Sequence, residues 1–400
     1  MTAFEARSDD FSRPLTAKAV TTIIHKIIWM STLSGLILSA CAPQSFPVPS
    51  TFAITPPPLP SITSSPVPSE TPIPTATPPR TPPALPPVYQ SSFLNPNDTP
   101  HTYIQDACLY FKMRWDPNNS TPGTVVMVIM FHSITDGEVT QPDQISMKEF
   151  RRLMDDLHEQ GFQAITTEQL VNFLEYNAKI PPRSVLLIVD DRKYRAYFDK
   201  AFFRYWQNWG WPVVNAWISH PETVQPLWDD NAALEAEGWV DHQAHGVIHN
   251  VIITESSSDD FIASDFNGSI AAMQQHFNKT PIAFIWPGGG FTPKAVQMAR
   301  QAGYRLGFTI NPRGPLMFNW IPLTDASDPI RPSYLPEGPA GDPLLTLPRY
   351  WATDVRAHID EVRIMGSEAA AYAEQNKAIE LEYYDIVCAP TYGPISTAAP

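Results

Sequence analysis

Cysteine is scarce in this chain. The three present, Cys41, Cys108 and Cys388, are too few and too scattered to form a disulfide framework. Positive charge is also in deficit: 27 Lys and Arg against 41 Asp and Glu leave a formal net charge of −14. That balance argues against nucleic acid as a partner and against adhesion to anionic lipid through a basic patch. Long hydrophobic runs are missing too. The apolar stretch at residues 27–40 (IIWMSTLSGLILSA) falls short of the roughly 20 residues that span a bilayer comfortably. No internal repeat stands out. Between residues 43 and 87 charge almost disappears: Glu70 and Arg80 are the only charged residues, while 17 of the 45 positions are proline. Such a segment cannot bury a core and populates extended polyproline-type conformations.

The amino terminus reads as a targeting segment. Arg7, Arg13, Lys18 and Lys26 precede the short apolar stretch, which ends in Leu38-Ser39-Ala40-Cys41. This ending resembles a bacterial lipoprotein lipobox. The resemblance implies cleavage before Cys41, lipidation there, and an extracytoplasmic protein anchored to the bacterial membrane; an uncleaved signal anchor is the alternative. The expected organisation is a signal peptide at 1–40, a disordered Pro/Ser/Thr-rich tether at 41–97, a folded domain at 98–390 and a flexible tail at 391–400. In an extracytoplasmic compartment Cys108 and Cys388 either pair, tying the ends of the domain together, or remain two buried thiols.

Within the domain, apolar runs alternate with amphipathic stretches. Residues 125–131 (VVMVIMF) and 185–189 (VLLIV) suit buried parallel strands. Shorter strands are expected at 164–165, 213–217, 240–244, 282–286 and 306–308. Ser146 with Glu149 predicts a capping box, followed by the stripe Phe150, Leu153, Met154 and Leu157. Further helices are expected at 167–176, 194–209, 228–237, 258–277, 293–302 and from 354 to about 375. This βαβα order implies parallel strands wound as an open sheet or, preferably, closed into a barrel. Residues 311–350 break the pattern, as a long loop over the site or an insertion, with 345–350 (LTLPRY) returning as a last strand.

The chemistry gathers after strands. Asp190 and Asp191 close an apolar run, where unpaired charges are costly and a metal or cationic partner is expected. The bland alternative is a helix-capping acidic pair. His245 and His249 stand four apart, but Gly246 replaces the glutamate of a zinc-protease HExxH helix, so that reading fails. A loop at a strand end can still bring both imidazoles to one ion.

Five segments in this order resemble the polysaccharide deacetylase family with its NodB-type domain, over roughly residues 122–350. They are MFHSI (130–134), the helix–strand–helix stretch from Ser146 to Leu170, LLIVDD (186–191), DHQAHGVIH (241–249) and FIWPGGGFTPKAVQMARQAGYRLGFT (284–309). The resemblance implies an α/β fold, a distorted TIM-like (β/α)7 barrel, and a metal-dependent hydrolase acting on acetamido groups of carbohydrate. It implies Asp190 as general base and Asp191, His245 and His249 as ligands of a divalent metal, zinc by default. The turn Trp286, Pro287, Gly288 would supply an oxyanion donor and, with His132 and Arg192, contact substrate. The expected partners are an N-acetylated polysaccharide and, through Cys41, a membrane.

Three departures from the family pattern bear on activity. Arg192 stands where glycine usually follows the aspartates; it could clash, pair with Asp190, compete with the metal for carboxylates, or bind an anionic substrate group. No late Leu-x-His motif supplies a general acid, leaving His132 or His358 to substitute. Gly246 replaces a serine or threonine. A catalytically impaired carbohydrate-binding or scaffold lipoprotein is therefore the alternative to the enzyme, and an amidase acting on non-sugar amides the third reading. Tryptophans 206, 209, 211, 217, 228, 239 and 286 are sugar-stacking candidates or, more simply, core.

Overall fold

The structure, a computed structural model, describes residues 80–248 and 251–396. The leader, Cys41, most of the tether and His249 lie outside the described residues. In chain order the first elements are β1 (Thr99–His101), α1 (Ala107–Trp115), β2 (Val125–Phe131), β3 (Ser133–Thr135), β4 (Gln144–Ser146), α2 (Met147–Glu159), β5 (Gln163–Ala164), α3 (Thr167–Tyr176) and β6 (Arg183–Val189). There follow α4 (Arg195–Ala201), α5 (Phe203–Trp209), β7 (Val213–Trp217), α6 (Gln225–Glu237), β8 (Val240–Ala244), α7 (Asp259–Phe277), β9 (Ala283–Ile285), α8 (Pro293–Ala302) and β10 (Leu306–Phe308). The chain ends with β11 (Ile321–Leu323), β12 (Tyr350–Trp351), α9 (Ile359–Tyr383) and α10 (Ala389–Tyr392).

The main sheet runs β10-β9-β8-β7-β6-β2-β12, all parallel, with β5 on the lower half of β6. The strand–helix alternation predicts the parallel sheet, and its seven strands and curl are those of the distorted (β/α)7 barrel that the family resemblance implies. Alternation along each strand divides the core. Val126, Val128, Leu186, Ile188, Val214 and Ala216 pack with α3 on one face, whereas Val125, Met127, Ile129, Val185 and Leu187 pack with α2, α5 and α9 on the other. Closure is made by one short segment. Leu347 exchanges hydrogen bonds with Gly307 and Thr309 beside β10, and three residues later Tyr350 and Trp351 pair with Ile129 and Met130 of β2. The stretch 345–350 therefore joins both edges, although only its end is regular strand.

Local chemistry explains where the elements depart from expectation. Ser146 caps α2 through the Glu149 N–H, but the Glu149 carboxylate turns to Arg152, so the box is half made. The complete capping box lies at Thr166 and Gln169 of α3. The single helix expected over 194–209 is broken at Phe202, whose ring packs edge-on against Phe131 and Phe150; tertiary packing overrides helical continuity there. The last helix runs well past residue 375, because no glycine or proline interrupts residues 367–389. Residues 311–337 are fixed by a buried charge network. Arg313, fully buried, donates to Asp98 and Glu337, and Arg331 donates to Asp98 and Asp328.

Contacts upstream of residue 98 hold the chain against the α9 region and Trp320. Arg80 pairs with Glu382 and Asp385, Tyr372 donates to the Pro87 carbonyl, and the Trp320 indole donates to the Tyr89 carbonyl. Cys108 and Cys388 form a disulfide, which settles the choice between a bridge and two thiols. It ties α1 to the end of the α9 region. Replacing both cysteines by serine is expected to lower stability by about 3 kcal/mol, read as a fall in the urea midpoint that reductant reproduces in the wild type and not in the variant.

Candidate active site

Parallel strands of an α/β barrel point their carboxyl ends at one mouth, and loops leaving those ends carry the chemistry. Here β2 delivers His132, β6 delivers Asp190 and Asp191, β8 delivers His245, and β9 leads into Pro287 and Gly288. Asp190 is hooked to the neighbouring strand by its N–H, which donates to the Phe131 carbonyl at 2.8 Å. Asp191 then adopts a left-handed backbone, φ 61, a conformation aspartate tolerates better than most residues. That kink sends the two carboxylates to different partners.

Asp190 faces inward and is 2% exposed. Its Oδ1 accepts from Arg349 Nη1 at 2.6 Å, and its Oδ2 lies 3.5 Å from His132 Nε2. Burial alone would raise the Asp190 carboxyl. The charges of Arg349, His132 and His245, with the Arg349 hydrogen bond, outweigh it and hold the group at about 2. Arg349 is itself fully buried; its Nε donates to the Thr309 carbonyl and its backbone N–H to the Asn311 carbonyl. Among the described residues, His132 Nδ1 and Arg349 Nη2 are buried without a partner. The His132 ring lies nearly parallel to Trp351, centroids 5.3 Å apart.

Asp191 faces His245 instead. His245 Nδ1 donates to the Ile285 carbonyl at 2.7 Å, since a carbonyl can only accept, so in the neutral ring Nε2 carries the lone pair. That Nε2 stands 3.8 Å from Asp191 Oδ1. The separation is too long for a hydrogen bond but within the roughly 4 Å that one carboxylate bond and one imidazole bond to a common divalent ion can bridge. This pair fits the carboxylate–imidazole donor set. Among the described residues no three His, Cys, Asp or Glu side chains form a complete metal set, and the third expected ligand, His249, lies outside them.

The loop that carries His245 is shaped by a residue the sequence did not reveal. Asp265 of α7 is 3% exposed and accepts from the Val247 N–H at 2.7 Å. Burial raises its carboxyl, and the Val247 and Ile248 N–H groups and the His245 charge offset part of that rise. Gly246 lies directly against it. At φ +78, a Cβ there would sit 2.9 Å from Asp265 Oδ2, so serine or threonine does not fit this loop.

The remaining expected residues separate clearly. Gly288 is exposed at the mouth while Pro287 is buried. Trp286 is fully buried, with its indole donating to the Leu345 carbonyl at 2.8 Å, so it is core and not a sugar platform. Tryptophans 211, 217, 228 and 239 are buried as well, and only Trp206 and Trp209 of the set are half-buried. Arg192 pairs with neither aspartate; its Nη1 donates to Thr223 Oγ1 on the loop after β7. His358 pairs with Glu361 at 2.7 Å, which leaves His132 as the imidazole beside Asp190. Arg349, the residue that reasoning from sequence missed, sits in LTLPRY, the stretch expected to return as a last strand.

Residues 177–307 match the family described as polysaccharide deacetylase. The matched span holds Asp190, Asp191 and His245, whereas His132 and Arg349, both touching Asp190, lie outside it. No curated protein matches the chain. Among solved structures it is similar to the Streptococcus pyogenes deacetylase PplD in complex with acetate, at 19% identity over 57% of this chain and 92% of that one, TM-score 0.44. It is also similar to IcaB from Ammonifex degensii, at 17% identity over 61% of this chain and 98% of that one, TM-score 0.44. The deacetylase domain of BpsB from Bordetella bronchiseptica gives 17% identity over 58% and 97%, TM-score 0.41.

Two outcomes test this arrangement. A depressed carboxyl stabilises the fold above its ordinary value near 3.8, and the contribution disappears as pH falls toward about 2. Wild-type protein is expected to lose roughly 2 kcal/mol across that window, a loss absent from Asp190→Asn, which is itself about 3 kcal/mol less stable at neutral pH because Arg349 is left uncompensated. Urea titrations from pH 2 to pH 7, about one unit apart, check both. Gly246→Ala is expected to cost at least ~1 kcal/mol and to speed amide hydrogen exchange at Val247, the N–H that Asp265 holds.

Proposed function

We propose that this protein is a metal-dependent hydrolase that removes N-acetyl groups from cell-envelope or extracellular polysaccharide. The observation that carries the reading is the division of labour in the aspartate pair: Asp190 is held ionised by Arg349 beside His132, and Asp191 faces the lone pair of His245. Asp191, His245 and His249 would hold the ion, with zinc the default for a carboxylate–imidazole set. When bound, the ion supplies Lewis acidity toward the acetamido carbonyl and acidifies water.

The chain's own residues do the rest. Asp190 Oδ2, the oxygen not bound to Arg349, accepts a proton from the attacking water as its oxygen bonds to the carbonyl carbon. Arg349 keeps Asp190 ionised at neutral pH, so the carboxylate is in the form that can take that proton. His132 Nε2, 3.5 Å away, is placed to deliver a proton to the sugar nitrogen as the C–N bond breaks, leaving acetate and a free amine. Stacking on Trp351 fixes the ring plane for this task. The exposed backbone at Gly288 suits a developing oxyanion, because glycine admits close approach. Arg192, drawn aside to Thr223, leaves both aspartates to these roles, which favours the enzyme over an impaired binding protein.

We place the enzyme outside the cytoplasm, anchored through a lipid on Cys41. The Cys108–Cys388 disulfide supports an oxidising compartment. Cys41→Ala is expected to move the protein from the membrane fraction to the soluble fraction.

The direct test is to purify the protein, measure bound metal, and assay acetate release from N-acetylglucosamine oligomers and peptidoglycan. About one divalent ion per chain and steady acetate release are expected. His132→Gln is expected to lower turnover at least ~100-fold without loss of metal, and His245→Ala to lose both. Metal-free protein that releases no acetate from either substrate would sink the proposal, and release from simple amides alone would move the substrate class away from sugars.

A further inference from the structure

Arg192 is half-buried at the mouth, and no carboxylate pairs with it among the described residues. Its neighbours are treated differently. Lys193 lies 4.0 Å from Asp191 Oδ2, and Arg195 pairs with both Asp199 and Glu237. Arg192 has one hydrogen bond, from Nη1 to the neutral hydroxyl of Thr223, which ties the loop after β6 to the loop after β7. A guanidinium carries five N–H donors in a planar fork. One neutral acceptor leaves its charge and most of those donors facing the solvent at the mouth, open to an incoming anion.

The surroundings indicate what would satisfy it. Tyr194 is 65% exposed and Val224 64% exposed, so apolar surface borders Arg192 and Thr223 on the chain. A pinned cation beside apolar surface suits a sugar ring bearing an anionic group: the ring's carbon face covers the apolar surface and the fork receives two oxygens. The charge balance of the chain sharpens the point. A protein of net charge −14 repels an anionic polymer at long range, so a local cation is needed at the mouth to hold one.

We propose that Arg192, positioned by Thr223, is an anion-binding subsite, and that the glycan carries a carboxylate or phosphate on the sugar next to the acetamido group being hydrolysed. The glycan's identity as substrate rests on the deacetylase reading; the subsite is a statement about binding.

Calorimetry on the whole protein tests it separately from turnover. One pair of probes is a tetrasaccharide of alternating N-acetylglucosamine and N-acetylmuramic acid with free lactyl carboxylates, and the same molecule with those groups converted to methylamides. The second pair is an N-acetylglucosamine tetramer with and without a 6-phosphate. At least one anionic member is expected to bind roughly tenfold tighter than its neutral partner, the size of one charge-assisted contact; which pair shows the gain names the source of the anion. The preference ratio is expected to fall to about one in Arg192→Gln, to survive in part in Arg192→Lys, and to shrink in Thr223→Val. Equal binding within both pairs on wild type, or a preference that persists in Arg192→Gln, overturns the subsite. Preference without acetate release from any glycan supports the subsite and sinks the deacetylase reading; acetate release without preference does the reverse.

Discussion

The buried ion pair between Arg349 and Asp190 is the interaction on which fold and site both depend. Arg349 lies on the short segment that closes the barrel. Its backbone holds Asn311, its Nε holds Thr309 at the end of β10, and its Nη1 reaches across to the end of β6. Taking two charges out of water costs several kcal/mol each, and even a well-made pair does little more than offset that cost. An apolar pair of similar volume would serve stability as well. What the ion pair provides is a carboxylate that stays ionised although 2% exposed, in one fixed orientation.

Two adjacent aspartates with unlike environments follow from one backbone kink. In an extended strand successive side chains alternate faces, and the left-handed turn at Asp191 carries its carboxylate toward β8 and His245. Asp190 completes the strand's inward register and meets Arg349. The histidine loop is pinned in the same economical way, with Asp265 of α7 accepting from its backbone and Gly246 leaving room for the contact. Asp190 with Asp191, His245 and Arg349 thus come from three different segments: the end of β6, the end of β8 and the closing stretch 345–350.

Much of this was legible in the sequence. Val125–Phe131 and Arg183–Val189 are apolar enough to announce central strands, and the strand–helix alternation implied the curled parallel sheet. Asp190, Asp191 and His245 were readable because polar residues directly follow such strands. Arg349 was not readable, because its partner lies 159 residues away and its own segment has almost no periodicity. Asp265 was hidden for a related reason: on an amphipathic helix an acid looks solvated, and only the fold shows it turned under the β8 loop. The aromatic helix over 194–209 broke because its rings serve the core before they serve the helix.

The link between Cys108 and Cys388 spans 280 residues, so it encloses nearly all of the folded unit. A chain made from its amino end cannot form that clasp until Cys388 has emerged. A product truncated between Cys108 and Cys388 therefore keeps Cys108 as a thiol, open to exchange with passing disulfides, whereas the bonded pair has none to offer. The bond thus acts as a chemical receipt for a barrel made through to Cys388, which quality control that senses free thiols reads without inspecting the fold.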